Sequence, residues 1–155
     1  MAVPVVIKLD RLKATSMSTS NNELMETGRE ARITAVLLWI VAAGWGFSAP
    51  WLIWWVLVRG RLPVLPLIGE ANGGPFYLKV TRSTFAKLLA LSFLLAVAQA
   101  WAARLLWSGK RSGALLQFAL LPAEAAFWYG FAIPIPPALA VIRMVLTARA
   151  WRGLV

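Results

Sequence analysis

From Ile33 to Val58 the chain runs 26 residues without a charged side chain. A helix needs about 20 predominantly apolar residues to cross a bilayer. At roughly 1.5 Å per residue this stretch reaches some 39 Å, enough to span with tilt. Composition points the same way. The 155 residues are 60% hydrophobic and 14% charged, whereas soluble domains sit near half apolar and a quarter charged. The expected fold is therefore an all-α integral membrane protein.

Three further apolar segments complete a bundle of four transmembrane helices, at about 33–58, 85–107, 114–133 and 138–151. Pro134, Pro136 and Pro137 break the chain between the last two, so these form a Pro-turned hairpin. Pro50 is expected to kink the first span or end its first part. Trp51, Trp54 and Trp55 near its end suit an interfacial aromatic belt. Residues 1–32 read as a separate polar and amphipathic tail, flexible through SMSTSNNE (Ser16 to Glu23), with Met17 or Met25 as alternative starts. The loop 59–84 is rich in Pro and Gly and long for an ordered connection. Within it, PFYLKV reads as a short extended or interfacial piece.

Small residues recur at helical spacing: Ala42 and Gly46; Ala96, Ala100 and Ala103; and Ala119, Ala123, Ala126 and Gly130. Such stripes let helix backbones approach closely, and packing inside the bundle is the expected use. Phe127, Trp128 and Phe131 flank the last stripe, where an aromatic-lined cavity for a lipid, quinone or pigment tail is an alternative.

One carboxylate stands out. Between Arg111 and Arg143 the sole charge is Glu124. A charge at the bilayer centre costs at least about 2.5–3.5 kcal/mol, so such groups face the bundle interior and pair. Counting from a turn near Ile135, Glu124 and Arg143 differ in depth by roughly 4–5 Å, a gap an arginine side chain covers. Gln99, counted from SGKRSG, falls at a similar level. A polar layer of Gln99, Glu124 and Arg143 is expected, with Tyr129 nearer the outer side. Glu124 then serves as an internal ion pair that fixes register, as a contact to another subunit, or as a proton or cation site.

The sequence contains no histidine and no cysteine. Thiolate chemistry, Cys/His zinc sites and haem ligation by histidine are excluded, and the commonest general base is missing. Ser48 and Thr34 lack a histidine to activate them, and Glu70 lies in the outer loop, far in depth from Glu124. An enzyme is not expected, nor a metal or cofactor. The net charge of +10 does not form a nucleic-acid footprint, because the basic residues gather at the ends of apolar segments.

Positive-inside reasoning places SGKRSG and the C-terminus, and with four spans the N-terminus, in the cytoplasm, with the chain in the plasma (inner) membrane. Lys8, Arg11, Lys13, Arg29 and Arg32 agree, whereas Arg59, Arg61, Lys79 and Arg82 of the first loop dissent. The expected partners are the lipid bilayer and either other membrane subunits or further copies of this chain. A non-catalytic accessory or structural subunit of a larger membrane complex fits best. A small dimeric proton- or cation-coupled transporter using Glu124 is the alternative, and a lipid- or other apolar-ligand-binding membrane protein the third.

Overall fold

The computed structural model describes the backbone of residues 4–65, 69–70, 73–133 and 135–155, and the side chains of 25–64, 73–133 and 136–155. Expectations resting on Lys8, Arg11, Lys13, Glu70 and Pro134 therefore lie outside the described residues. The fold is helical apart from one short strand pair. Helix α1 covers Pro4–Arg59, α2 Pro75–Lys79, α3 Arg82–Trp107, α4 Arg111–Gly130 and α5 Ile135–Ala150, followed by a 3-10 turn at Trp151–Gly153. Strands β1 (Val64–Leu65) and β2 (Gly69–Glu70) form a two-residue antiparallel pair in the long loop.

Helix α1 is longer than the apolar span that predicts it, and it departs from expectation in its polar N-terminal part. Its backbone is helical through 16–23, where polar composition suggests an irregular segment. Ser and Asn are merely poor helix formers, and between Pro4 and Pro50 no proline interrupts the hydrogen-bond ladder. It also passes through Pro50 without ending. The PFYLKV piece is helical rather than extended. Pro75 sits in the first turn of α2, where its missing N–H costs nothing and its φ is already helical. Helix α4 begins at Arg111 and closes at Gly130, with Ala132 in the following turn at φ 52°.

The four long helices alternate in direction. Helix α1 packs on α3 and α5, and α3 packs on α4, which closes sparsely onto α5. The α1–α3 seam explains the closeness of the first pair. On α1 the inward positions are Ala31, Ala35, Leu38, Ala42, Trp45, Ala49, Leu52 and Val56; on α3 they are Phe85, Leu89, Ser92, Ala96, Gln99, Ala103 and Leu106. Both series step by alternating threes and fours, the 3.5-residue repeat of helices that pack knobs into holes. Four alanines on α1 face a run containing Ala96 and Ala103, so the axes approach without large side chains between them. The hydroxyls within this seam bond their own helix. Thr34 Oγ1 donates to the Glu30 carbonyl at 3.1 Å and Ser92 Oγ to the Leu89 carbonyl at 2.7 Å.

Each end of the bundle is closed differently. At the α3–α4 turn the C-terminus folds back: the Arg111 N–H donates to the Val155 carbonyl at 2.8 Å, and the Val155 N–H to the Gly109 carbonyl at 2.9 Å. Gly109 adopts φ +71°, which L side chains rarely reach. At the opposite end an aromatic cluster fills the space. Phe131 meets Trp45 at 5.4 Å, Phe76 at 5.4 Å and Phe85 at 5.7 Å between ring centroids.

Among the described residues, two helices are long and apolar enough to cross a membrane: α1 over Met25–Arg59 and α3, each with mean hydropathy 1.7. Only 28% of that window in α1 and 33% in α3 is buried within the protein. Most of their apolar surface therefore faces outward, unlike the central helix of a soluble core.

Candidate functional site

Glu124 and Arg143 meet in the interior. Arg143 Nη2 lies 2.6 Å from Glu124 Oε2, and each side chain is 1% exposed. Local sequence puts them there. On α4 the buried positions include Gly113, Gln117, Glu124, Phe127 and Gly130; on α5 Ala140, Arg143, Thr147 and Ala150 are buried. Each set recurs at three- and four-residue steps or their sums, so one face of each helix turns inward.

A second contact lies one level nearer the α3–α4 turn. Thr147 Oγ1 is 2.8 Å from the Arg143 carbonyl and 3.1 Å from Gln117 Oε1. A hydroxyl carries one hydrogen, so these two acceptors compete. With the Gln117 amide turned so that its NH2 faces the hydroxyl, Gln117 donates and the competition ends. Between the two contacts α4 advances seven residues, roughly 10 Å, and α5 four, roughly 6 Å. The extended arginine side chain covers the difference. This polar ladder joins two helices whose backbones otherwise touch little.

Electrostatically the pair is half finished. Arg143 offers five N–H hydrogens in a fixed fork. Its Nε and Nη1 have no protein partner, and neither do Glu124 Oε1 nor Gln99 Oε1. Gln99 is 2% exposed on α3. In protein interiors such groups are met by ordered water, which takes two to four polar partners at once. Two helices thus contribute to one polar ladder: Gln117 and Glu124 from α4, Arg143 and Thr147 from α5.

The remaining expected residues fall elsewhere. Tyr129 is 75% exposed and takes no part in the seam. Five residues beyond Glu124, it is rotated by well over a right angle around α4. Ala42 is buried against α3, whereas Gly46 is only half-buried. A side chain added at Gly46 meets open space, so Gly46 makes no close helix contact. Ala119, Ala123 and Ala126 are exposed, which corrects the expectation that they pack inside the bundle. Glu124 and Gln117 occupy the inward face of α4, and the alanines follow on the opposite one. Gly130 is buried, and a side chain there would run into the Phe76 ring.

The aromatic cavity is also relocated. Phe127 and Phe131 are buried in the closing cluster, stacked at 5.7 Å. Trp128 instead lines a surface recess with Tyr129 and Pro137. Sequence inspection overlooked Gln117 and Thr147, and two spacings point to them. Gln117 lies seven residues before Glu124 and Thr147 four after Arg143, each on its neighbour's face. Comparison with protein-family models, with curated proteins and with solved structures finds no match, so these side chains and their placement carry the functional argument.

Proposed function

We propose that this chain is a four-span integral membrane protein that serves as a non-catalytic accessory or structural subunit of a larger membrane complex. Two long apolar helices with mostly outward-facing surface support membrane insertion. Helices α4 and α5 present apolar side chains outward as well: Leu115 is 57% exposed, Val141 62% and Val145 53%. Along α3, exposed Lys87 and Arg104 bracket an uncharged stretch of roughly 25 Å, close to the hydrocarbon thickness of a bilayer. Trp51 and Trp54 near one end, and Trp107 near the other, are exposed at depths suited to the two interfaces.

The observation that carries the subunit role is the exposed face of α4. Ala119, Ala123 and Ala126 form a small-residue stripe of the kind that packs helices, and among the described residues nothing covers it. The deep acid does not compete for that role, since Arg143 meets its charge within the same chain. For orientation, Arg29, Arg32, Lys110, Arg111, Arg149 and Arg152 support placing both termini in the cytoplasm.

The test is purification in mild detergent followed by intact-complex mass spectrometry. We expect other polypeptides at fixed stoichiometry; a homogeneous, well-folded monomer refutes the subunit role.

A second function is favoured by one observation, the unpartnered Glu124 and Arg143 atoms between α4 and α5. It is a dimeric proton- or cation-coupled transporter. A clean homodimer whose Glu124→Gln variant folds but carries no coupled flux supports it; unchanged flux removes it.

A further inference from the structure

Where α1 passes Trp107, the surface holds a recess of about 610 Å³ lined by two arginines and by apolar side chains. Met25 and Gly28 stand at its start on α1, Arg29 and Arg32 follow, and Ile33, Val36, Leu37 and Trp107 line the rest. From Arg29 to Leu37 the helix advances about 12 Å, so an apolar wall continues for two turns beyond the cationic groups, with Met25 one turn before them. Arg32 is held in place, its guanidinium 5.7 Å from the centre of the Trp107 ring. Trp107 is backed by Trp39 at 5.4 Å.

The charge at this recess is unbalanced. The nearby carboxylates Glu26 and Glu30 both turn to Arg149, at 3.8 and 2.9 Å. Among the described residues no carboxylate pairs with Arg29 or Arg32. Gly28 adds the final feature, since a side chain placed there would meet nothing within 4 Å. It opens the recess rather than permitting a helix contact.

We propose that this recess binds one anionic phospholipid, its phosphate on Arg29 and Arg32 and the upper part of an acyl chain along Ile33, Val36, Leu37 and Trp107. The proposal rests on the membrane placement of the chain. Two guanidinium groups without acidic partners select an anionic headgroup over a zwitterionic one. The apolar wall distinguishes a lipid from a free phosphate ion, which gains nothing from Val36 or Leu37.

Two variants separate charge from shape. The double variant R29Q/R32Q removes both cations at exposed positions, and Gly28→Leu fills the recess while leaving them. Protein in mild detergent is titrated with phosphatidylglycerol, phosphatidylcholine or inorganic phosphate, and bound adducts are counted by native mass spectrometry. The wild-type chain is expected to retain one phosphatidylglycerol in preference to phosphatidylcholine. R29Q/R32Q should lose that preference, by on the order of fivefold per arginine. Gly28→Leu should weaken phosphatidylglycerol retention with the charges intact.

Equal retention of the two lipids by the wild type overturns the proposal, as does a preference that survives R29Q/R32Q. Phosphate displacing the lipid while Gly28→Leu has no effect also overturns it, because the site then takes a headgroup ion alone. Alkaline carbonate extraction keeps the two levels apart. A chain released from membranes refutes the membrane placement, whereas a retained chain without lipid preference refutes only this site.

Discussion

Breaking the Glu124–Arg143 pair tests whether it holds α4 to α5. Glu124→Leu leaves a guanidinium in the interior with its Nε and Nη1 already unpartnered and its one carboxylate contact, at 2.6 Å, removed. Removing one member of a buried pair costs about 3–5 kcal/mol, most of it the uncompensated charge left behind. Few backbone contacts between α4 and α5 remain to resist separation. Arg143→Met should cost less, because an orphaned carboxyl can take up a proton whereas a guanidinium cannot release one. Replacing both, as E124L/R143M, removes the desolvation of two charges and should recover most of the loss, ending near the wild type or above it. The assay is reversible unfolding of the four proteins in bicelles, read as a double-mutant cycle. The expected coupling exceeds about 2 kcal/mol, well above the ~0.6 kcal/mol average of interhelical hydrogen bonds in bilayers. Additive single costs, with the double variant as unstable as their sum, would refute the clamp.

Three further outcomes follow from single positions. Gly130→Ala should destabilise by about 1–3 kcal/mol because its Cβ meets the Phe76 ring, whereas Gly46→Ala should be neutral or gain up to about 1 kcal/mol of helix propensity; thermal unfolding in detergent separates the two, and equal effects contradict the packing described. Thr147→Val keeps volume but strips the Gln117 amide of its partner, a cost of about 1–3 kcal/mol in the same assay; no change would mean the amide finds another partner. The chain has no cysteine, so Ser112→Cys and Ser83→Cys, both at exposed positions, report sidedness directly. A membrane-impermeant thiol reagent added outside intact cells should label Ser83→Cys and spare Ser112→Cys, and the reverse pattern inverts the orientation.

Much of the helical layout was legible because it depends on local chemistry. The end of the 26-residue uncharged run at Arg59, the prolines after Ile133 and the basic turn at Lys110 and Arg111 mark helix ends, whereas the start of α1 at Pro4 lies well outside that run. The partnership of Glu124 with Arg143 was legible too, since helical rise converts sequence distance into depth and only one cation lay within reach. Other features depend on rotation about the helix axis, which depth does not fix. That rotation sends Ala119, Ala123 and Ala126 outward and Gln117 inward, and it leaves Tyr129 exposed. It is decided by which neighbours a helix finds, and those neighbours are distant in sequence. Phe131 is buried because Trp45, Phe76 and Phe85 converge on it from three separate elements. The recess at Arg29 and Arg32 exists because the end of α3 brings Trp107 alongside α1. Sequence alone thus determined the lengths of the apolar segments and the spacing of the charges along them. Tertiary packing decided which face of each helix turns inward, because that choice minimises the unpaired polar groups and unfilled volume of the bundle as a whole.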